Sequence, residues 1–201
     1  MSRVGIEKME FLRENINRMF PRPQNDVVSV GDFTTFLELN VLDGICNEQT
    51  YLNIGKFCTV GKDCLALLGT EHDMNANTTY NFERWSDCFS PGRRSAYSRG
   101  NITIGNDVYI GSHVTIRSGV SIGDGCIIES GTMLTKSLEP YSIVCGNPCF
   151  IKGKRFSEEK IEKLMEMKWW DWDYEHLYEA LGLIKGEDTD ALYEYYLRNL
   201  A

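Results

Sequence analysis

Ile102-Thr103-Ile104-Gly105-Asn106-Asp107-Val108-Tyr109-Ile110-Gly111-Ser112-His113-Val114-Thr115-Ile116 repeats itself every six residues, and the repeat continues to Thr135. Ile104, Ile110, Ile116, Ile122, Ile128 and Leu134 form one comb of aliphatic teeth. Two residues before each tooth stands a second comb of Ile102, Val108, Val114, Val120, Cys126 and Thr132. Glycine follows the first comb at Gly105, Gly111 and Gly123. A helix would show a period near 3.6, and an ordinary strand alternates with no longer beat. A six-residue beat of aliphatic, small residue and turn is the hexapeptide signature of a parallel β-helix, in which three hexads close one triangular coil. On this reading the teeth point inward, the coils stack at strand spacing, and the glycines supply the turn dihedrals.

The beat also runs upstream. Leu52, Cys58 and Cys64 match the second comb, and Ile54, Val60 and Ala66 match the first, with Gly55 and Gly61 behind. Val30, Phe36 and Leu42 extend it further, and Glu48 breaks it, so Asp43 to Thr50 reads as a bulge or loop. Residues 69–100 have no beat and are rich in Asn, Thr, Ser, Arg and aromatics. They read as a long extruded loop, the kind of segment that carries function. The expected organisation is a helical arm over 1–25, a β-helix domain over 26–156 with the loop 69–100, and a helical segment over 157–201. The arm sets Phe11, Leu12, Ile16 and Met19 on one face and ends at Pro21 and Pro23. Ser157 is the expected N-cap of a helix over 157–181, and Ile184 to Ala201 reads as another short helix. The Trp169-Trp170-Asp171-Trp172 run is expected to fold the first of these helices over the open end of the coils, where a bare strand edge would aggregate.

Composition narrows the function. A net charge of −8 over 201 residues offers no basic face for nucleic acid. No apolar run is long enough to span a bilayer, and residues 1–15 lack the apolar centre of a secretion signal. The seven cysteines contain no CxxC pair, and several occupy the combs, as reduced, buried thiols of a cytoplasmic protein would.

Four stretches carry a resemblance: Val30-Gly31-Asp32-Phe33; Ile54-Gly55-Lys56-Phe57-Cys58; Ile104-Gly105-Asn106-Asp107-Val108-Tyr109-Ile110-Gly111; and Gly146-Asn147-Pro148 leading through Lys154-Arg155-Phe156 to Lys168-Trp169-Trp170-Asp171-Trp172. In these the chain resembles the xenobiotic branch of the hexapeptide-repeat acyltransferases, which includes chloramphenicol and streptogramin acetyltransferases and many sugar O-acetyltransferases. The resemblance implies a left-handed β-helix, an exception to the usual right-handed crossover. It also implies acetyl-CoA as co-substrate and a homotrimer whose active sites lie between neighbouring subunits.

The resemblance assigns chemistry to a few residues. His72, followed by Thr78-Thr79-Tyr80-Asn81-Phe82, is similar to the family's catalytic loop, with Asn81 where proline is usual. A hydroxyl is a poor nucleophile until a base takes its proton, and an imidazole suits that task near neutral pH. His72 is therefore the expected general base, with a carboxylate or a backbone carbonyl equally able to orient it. Backbone N–H groups would hold the oxyanion, so no cysteine is needed. Pantetheine is expected to meet backbone around Gly111, Ser112, Ser130 and Gly131, with Tyr109 standing where the family has Trp. Thr135-Lys136 resembles the family's Thr-Lys step near the cofactor, while Lys152, Lys154 and Arg155 form a basic cluster open to a phosphate or to plain solvation. Arg117 stands where an apolar residue is common. For the acceptor, Asn75, Asn77, Asn81 and Arg84 suit a saccharide, whereas Phe82, Trp85 and Phe89 suit an apolar drug, and Tyr80 is a substrate-binding candidate for either. The sequence leans toward a saccharide of a surface polysaccharide, with an antibiotic as the alternative and an amino sugar open. A zinc lyase of γ-carbonic-anhydrase type needs three convergent histidines, and His72, His113 and His176 lack that spacing, so no metal is expected.

Overall fold

A computed structural model describes residues 3–20, 26–43, 49–82 and 95–201. The fold is mainly β, and its described strands fall into three larger sheets and a two-stranded ribbon. The first sheet holds β1 (Val28–Val30), β4 (Leu52–Ile54), β9 (Ile102–Ile104) and β12 (Ser121–Ile122). The second holds β2 (Thr35–Phe36), β5 (Thr59–Val60), β10 (Tyr109–Ile110), β13 (Ile127–Ile128) and β15 (Ser142–Cys145), closed by an antiparallel β16 (Phe150–Lys154). The third holds β3 (Leu39–Leu42), β6 (Cys64–Leu67), β11 (Thr115–Arg117) and β14 (Met133–Leu134). The chain visits the first, second and third sheet in turn and then starts again. Within the repeat each strand pairs in parallel with the one eighteen residues on, three hexads away, as in Ile104 with Ile122, Ile110 with Ile128 and Ile116 with Leu134. Across residues 69–100 the offset becomes fifty, as in Ile54 with Ile104, so this segment is extruded without disturbing the pairing.

Every tooth of both combs between Ile102 and Leu134 is buried, at 3 % exposure or less, and together with Leu52, Cys58 and Val60 they make one core. Upstream the expected register slips by one. Val41, not Leu42, pairs with Ala66, and Leu42 is 46 % exposed. The connection from Phe36 to Val41 is one residue short of a hexad, and with a side-chain period of two that shift sends Leu42 outward.

The glycines do a different job from the one expected. Gly31, Gly55, Gly61, Gly105, Gly111 and Gly123 do not adopt positive φ. They lie where the next circuit passes too closely for a side chain: a Cβ on Gly55 would sit 2.6 Å from the carbonyl carbon of Gly105. The left-handed turn residue comes two positions later and is often not glycine. Phe33, Phe57, Asp107 and Tyr141 take φ between 54 and 61° along the corner joining the first and second sheets, and Asp63 and His113 do so at the corner joining the second and third.

The first of these corners explains the helical layer. Helix α1 spans Arg3–Met19, α2 Glu158–Met167, α3 Tyr174–Glu179, α4 Leu181–Ile184 and α5 Thr189–Asn199. Ser157 caps α2 as expected, but the helix stops at Lys168, which turns left-handed (φ 42°), and Trp169–Asp171 form a short 3-10 turn. One helix over 157–181 is thus four pieces. The layer does not cover an open end; it runs along the corner column. Phe33 and Tyr141, from opposite ends of that column, are buried in one cluster with Leu164, Met167 and Trp172. Phe57 stacks on Phe33 at 4.7 Å and meets Trp169 at 4.9 Å, while Lys56 reaches Asp171 at 2.9 Å. The buried face of α1 also differs: Met9, beside Gly5 packed on Tyr178, faces α3, and Phe11, Leu12 and Met19 are exposed. Small Gly5 admits the tyrosine ring, which fixes the helix rotation and leaves only Ile16 of the expected set packed against the cluster.

Candidate functional site

His72 ends β7 (Glu71–His72), which leaves the third sheet and pairs antiparallel with β8 (Ala96–Tyr97) to form a ribbon. Asp73 N–H to the Ser95 carbonyl extends the ribbon, and Ser98 Oγ donates to the Leu68 carbonyl at its base. His72 Nδ1 lies 2.7 Å from the Thr79 carbonyl oxygen. A carbonyl only accepts, so Nδ1 carries the proton, and in the neutral ring Nε2 then presents a lone pair. The question of the orienter is thereby answered within the ribbon's own loop. Glu71 accepts from Arg117 Nε and Ser118 Oγ, each at 2.8 Å, and Asp73 Oδ1 accepts from Asn75 N–H.

Near His72 the acceptor candidates are open to solvent. Tyr80 and Phe82 are 51 % and 45 % exposed and meet edge to face at 4.8 Å, and Asn77 is exposed. Arg84, Trp85 and Phe89 lie outside the described residues.

The expected cofactor residues occupy other edges. Gly111, Ser112, Ser130 and Gly131 sit one circuit apart at the corner joining the second and third sheets, where Ser112 N–H donates to Ser130 Oγ and Gly131 N–H to the Ser112 carbonyl. Tyr109 faces outward from the second sheet at 48 % exposure. Thr135 and Lys136 are exposed just after β14. Lys152 pairs with Glu129 at 2.7 Å, and Lys154 Nζ donates to the Pro140 carbonyl at 2.7 Å. Arg155 is turned to the first corner, where it donates to the Gly125 carbonyl and to Asp107 Oδ2, at 2.7 and 3.1 Å. Burial raises the Asp107 carboxyl above its ordinary range, and Arg155 offsets part of that cost. Arg155 therefore serves the join to the helical layer.

The three histidines do not converge. His113 stands at the second-to-third corner beside Asp63, 3.7 Å away, and His176 pairs with Asp173 at 2.9 Å at the start of α3. Among the described residues no group of three His, Cys, Asp or Glu side chains could hold a metal ion. No described helix is long and apolar enough to cross a membrane. Burial pushes the Cys58 thiol up to about 11 and raises Cys64 and Cys126, so these are packing residues at neutral pH. Sequence reasoning missed the Arg117–Glu71 pair. Its signal was a charge at a strand position where the family carries an apolar residue.

Three parallel sheets visited in rotation, with an extruded ribbon presenting a histidine, define a class of repeat-built transferases. The description "bacterial transferase hexapeptide (six repeats)" matches residues 101–136. A probable macrolide acetyltransferase of Lysinibacillus sphaericus is 41 % identical over 140 residues, 68 % of this chain and 78 % of that one. A chloramphenicol acetyltransferase of Klebsiella aerogenes is 35 % identical over 150 residues, covering 73 % and 71 %, and a virginiamycin A acetyltransferase of Staphylococcus aureus is 39 % identical over 193 residues, covering 90 % and 88 %. A solved hexapeptide-repeat acetyltransferase of Vibrio cholerae, complexed with acetyl coenzyme A, shares the fold with a TM-score of 0.53 at 17 % identity, over 77 % of this chain and 88 % of that one. The chain belongs to the xenobiotic branch of the hexapeptide-repeat acetyltransferases.

Proposed function

We propose that this enzyme moves an acetyl group from acetyl-CoA to a hydroxyl of an antibiotic, with His72 as general base. The observation that carries the base assignment is the 2.7 Å contact of His72 Nδ1 with the Thr79 carbonyl, which in the neutral imidazole puts the lone pair on Nε2. Nε2 takes the acceptor proton as the oxygen attacks the thioester carbonyl, and the imidazolium returns the proton to the departing thiolate. The sequence leaned toward a saccharide. The relatives' names move the reading to macrolide, chloramphenicol or streptogramin acceptors, and exposed Tyr80 and Phe82 fit an apolar one. Exposed Asn75 and Asn77 keep a saccharide as the second reading.

The rotation through three sheets is read as a left-handed β-helix. His72 and the Ser112–Ser130 pair lie on different corners of one chain, so a cleft using both needs a second copy, as in a homotrimer. In that cleft Tyr109, Gly111, Ser112, Ser130 and Gly131 line the pantetheine, and Thr135, Lys136, Lys152 and Lys154 face the phosphates. The test is coenzyme A release from acetyl-CoA with chloramphenicol, a macrolide, virginiamycin M and nucleotide sugars. Turnover confined to the drugs is expected. Turnover confined to the sugars would overturn the acceptor assignment, and absence of acetyl-CoA binding would overturn the cleft.

A further inference from the structure

We propose that Glu71, gripped by Arg117 and Ser118, is the positioning residue for His72. The inference rests on the reading of His72 as the base. Glu71 and His72 are neighbours on an extended strand, so their side chains leave on opposite faces of the ribbon. On one face the Glu71 carboxylate uses both oxygens: Oε1 accepts from Arg117 Nε at 2.8 Å, with Arg99 Nε at 3.6 Å, and Oε2 accepts from Ser118 Oγ at 2.8 Å. On the other face His72 Nδ1 donates to Thr79.

The grip joins the extruded ribbon to the third sheet. Arg117 ends β11, whose Ile116 is buried between Ala66 and Leu134 in the third sheet, and Ser118 follows it at 2 % exposure. Arg99 follows β8, the other strand of the ribbon. One carboxylate therefore ties both strands of the ribbon to the sheet. The Glu71 side chain is only 11 % exposed and Arg117 29 %, so the pair works largely out of water, where each hydrogen bond is stronger and loss of one partner costs more. Two register pairs and the Asp73 N–H bond to Ser95 join β7 to β8, and the carboxylate adds the tie from the ribbon to the sheet. The carboxylate sets where the His72 backbone lies, and Thr79 sets how the ring is turned. Arg117, out of place by the family pattern, is explained as the anchor for Glu71.

The test reads the tautomer of His72 directly. Long-range proton–nitrogen spectra of ¹⁵N-histidine protein are recorded for the unmodified chain and for Glu71→Gln and Arg117→Lys. The unmodified chain shows His72 as a single Nδ1–H tautomer. In both variants its two ring nitrogens move toward averaged shifts while His113 and His176 stay put, because the imidazole no longer meets Thr79 in one geometry. With chloramphenicol as acceptor the same variants lose roughly ten- to a hundredfold in kcat, the scale of a small misplacement at a reacting centre. Should Glu71→Gln or Arg117→Lys fail to fold, Ser118→Ala removes only the hydroxyl that donates to Glu71 and accepts from Arg99 N–H, and carries the same readout. A single unshifted Nδ1–H tautomer in the folded variants overturns the proposal. Tautomer averaging in the unmodified chain overturns the reading of His72 itself instead.

Discussion

Residues 101–136 and the ribbon of β7 and β8 are built on opposite terms. In the first, each hexad repeats the same instruction: two buried teeth and a left-handed turn, with parallel neighbours one circuit away. In the second, two short strands depend on single contacts, Glu71 with Arg117 and His72 with Thr79. Redundant signals make a scaffold that tolerates little change in any tooth. Sparse signals make a site that is open to substrate and easily misplaced.

The sharpest way to break the contrast is a charge in the scaffold. Ile116→Asp places a carboxylate at a position 1 % exposed, with no partner in reach. Burying an unpaired charge costs several kcal/mol against a total stability of about 5–15 kcal/mol. The variant is expected to lose cooperative unfolding in a thermal melt; a sharp wild-type-like transition would mean the tooth does not face the core. Next comes Gly55→Ala. Its Cβ would press within 2.6 Å of Gly105 carbon, and rigid backbone on both sides leaves little room to yield. A loss of about 1–3 kcal/mol is expected from such overpacking, read as a lower melting temperature. An unchanged melt would return Gly55 to an ordinary turn role. The smallest effect is chemical. At pH 8 a thiol with its pKa near 11 is thiolate in about one part in a thousand, so Cys58 resists iodoacetamide in the folded protein. Peptide mass spectrometry should find label on half-buried Cys145 and Cys149 but not on Cys58, Cys64 or Cys126. Equal labelling would show that the coils open.

The same contrast explains what the sequence made legible. The period-six pattern located the teeth and the extruded segment, because each follows from a local rule applied many times over, and capping chemistry alone located Ser157. It misjudged Leu42, since one missing residue between Phe36 and Val41 leaves no mark on composition yet reverses the facing of the strand. It misread the hexad glycines, because a demand for turn freedom and a demand for close approach select the same residue. It placed the helices at the end of the coils, when the landing site is a column of Phe33, Phe57 and Tyr141 that only stacking brings together. At the site, where the base role of His72 is a proposal, the residue itself was legible as a candidate from its loop motif. Its orienter was not, because a backbone carbonyl has no sequence signature, and the Glu71 grip was not, because its partners lie more than forty residues away.

The central claim is that His72 supplies the base on a scaffold that stands without it. The direct test is single-turnover coenzyme A release by His72→Ala beside the unmodified enzyme, with the acceptor that turns over fastest and with the thermal melt recorded for both. Loss of about a hundred- to ten-thousandfold in rate with an unchanged melt is the predicted result. A rate near that of the unmodified enzyme would contradict the account.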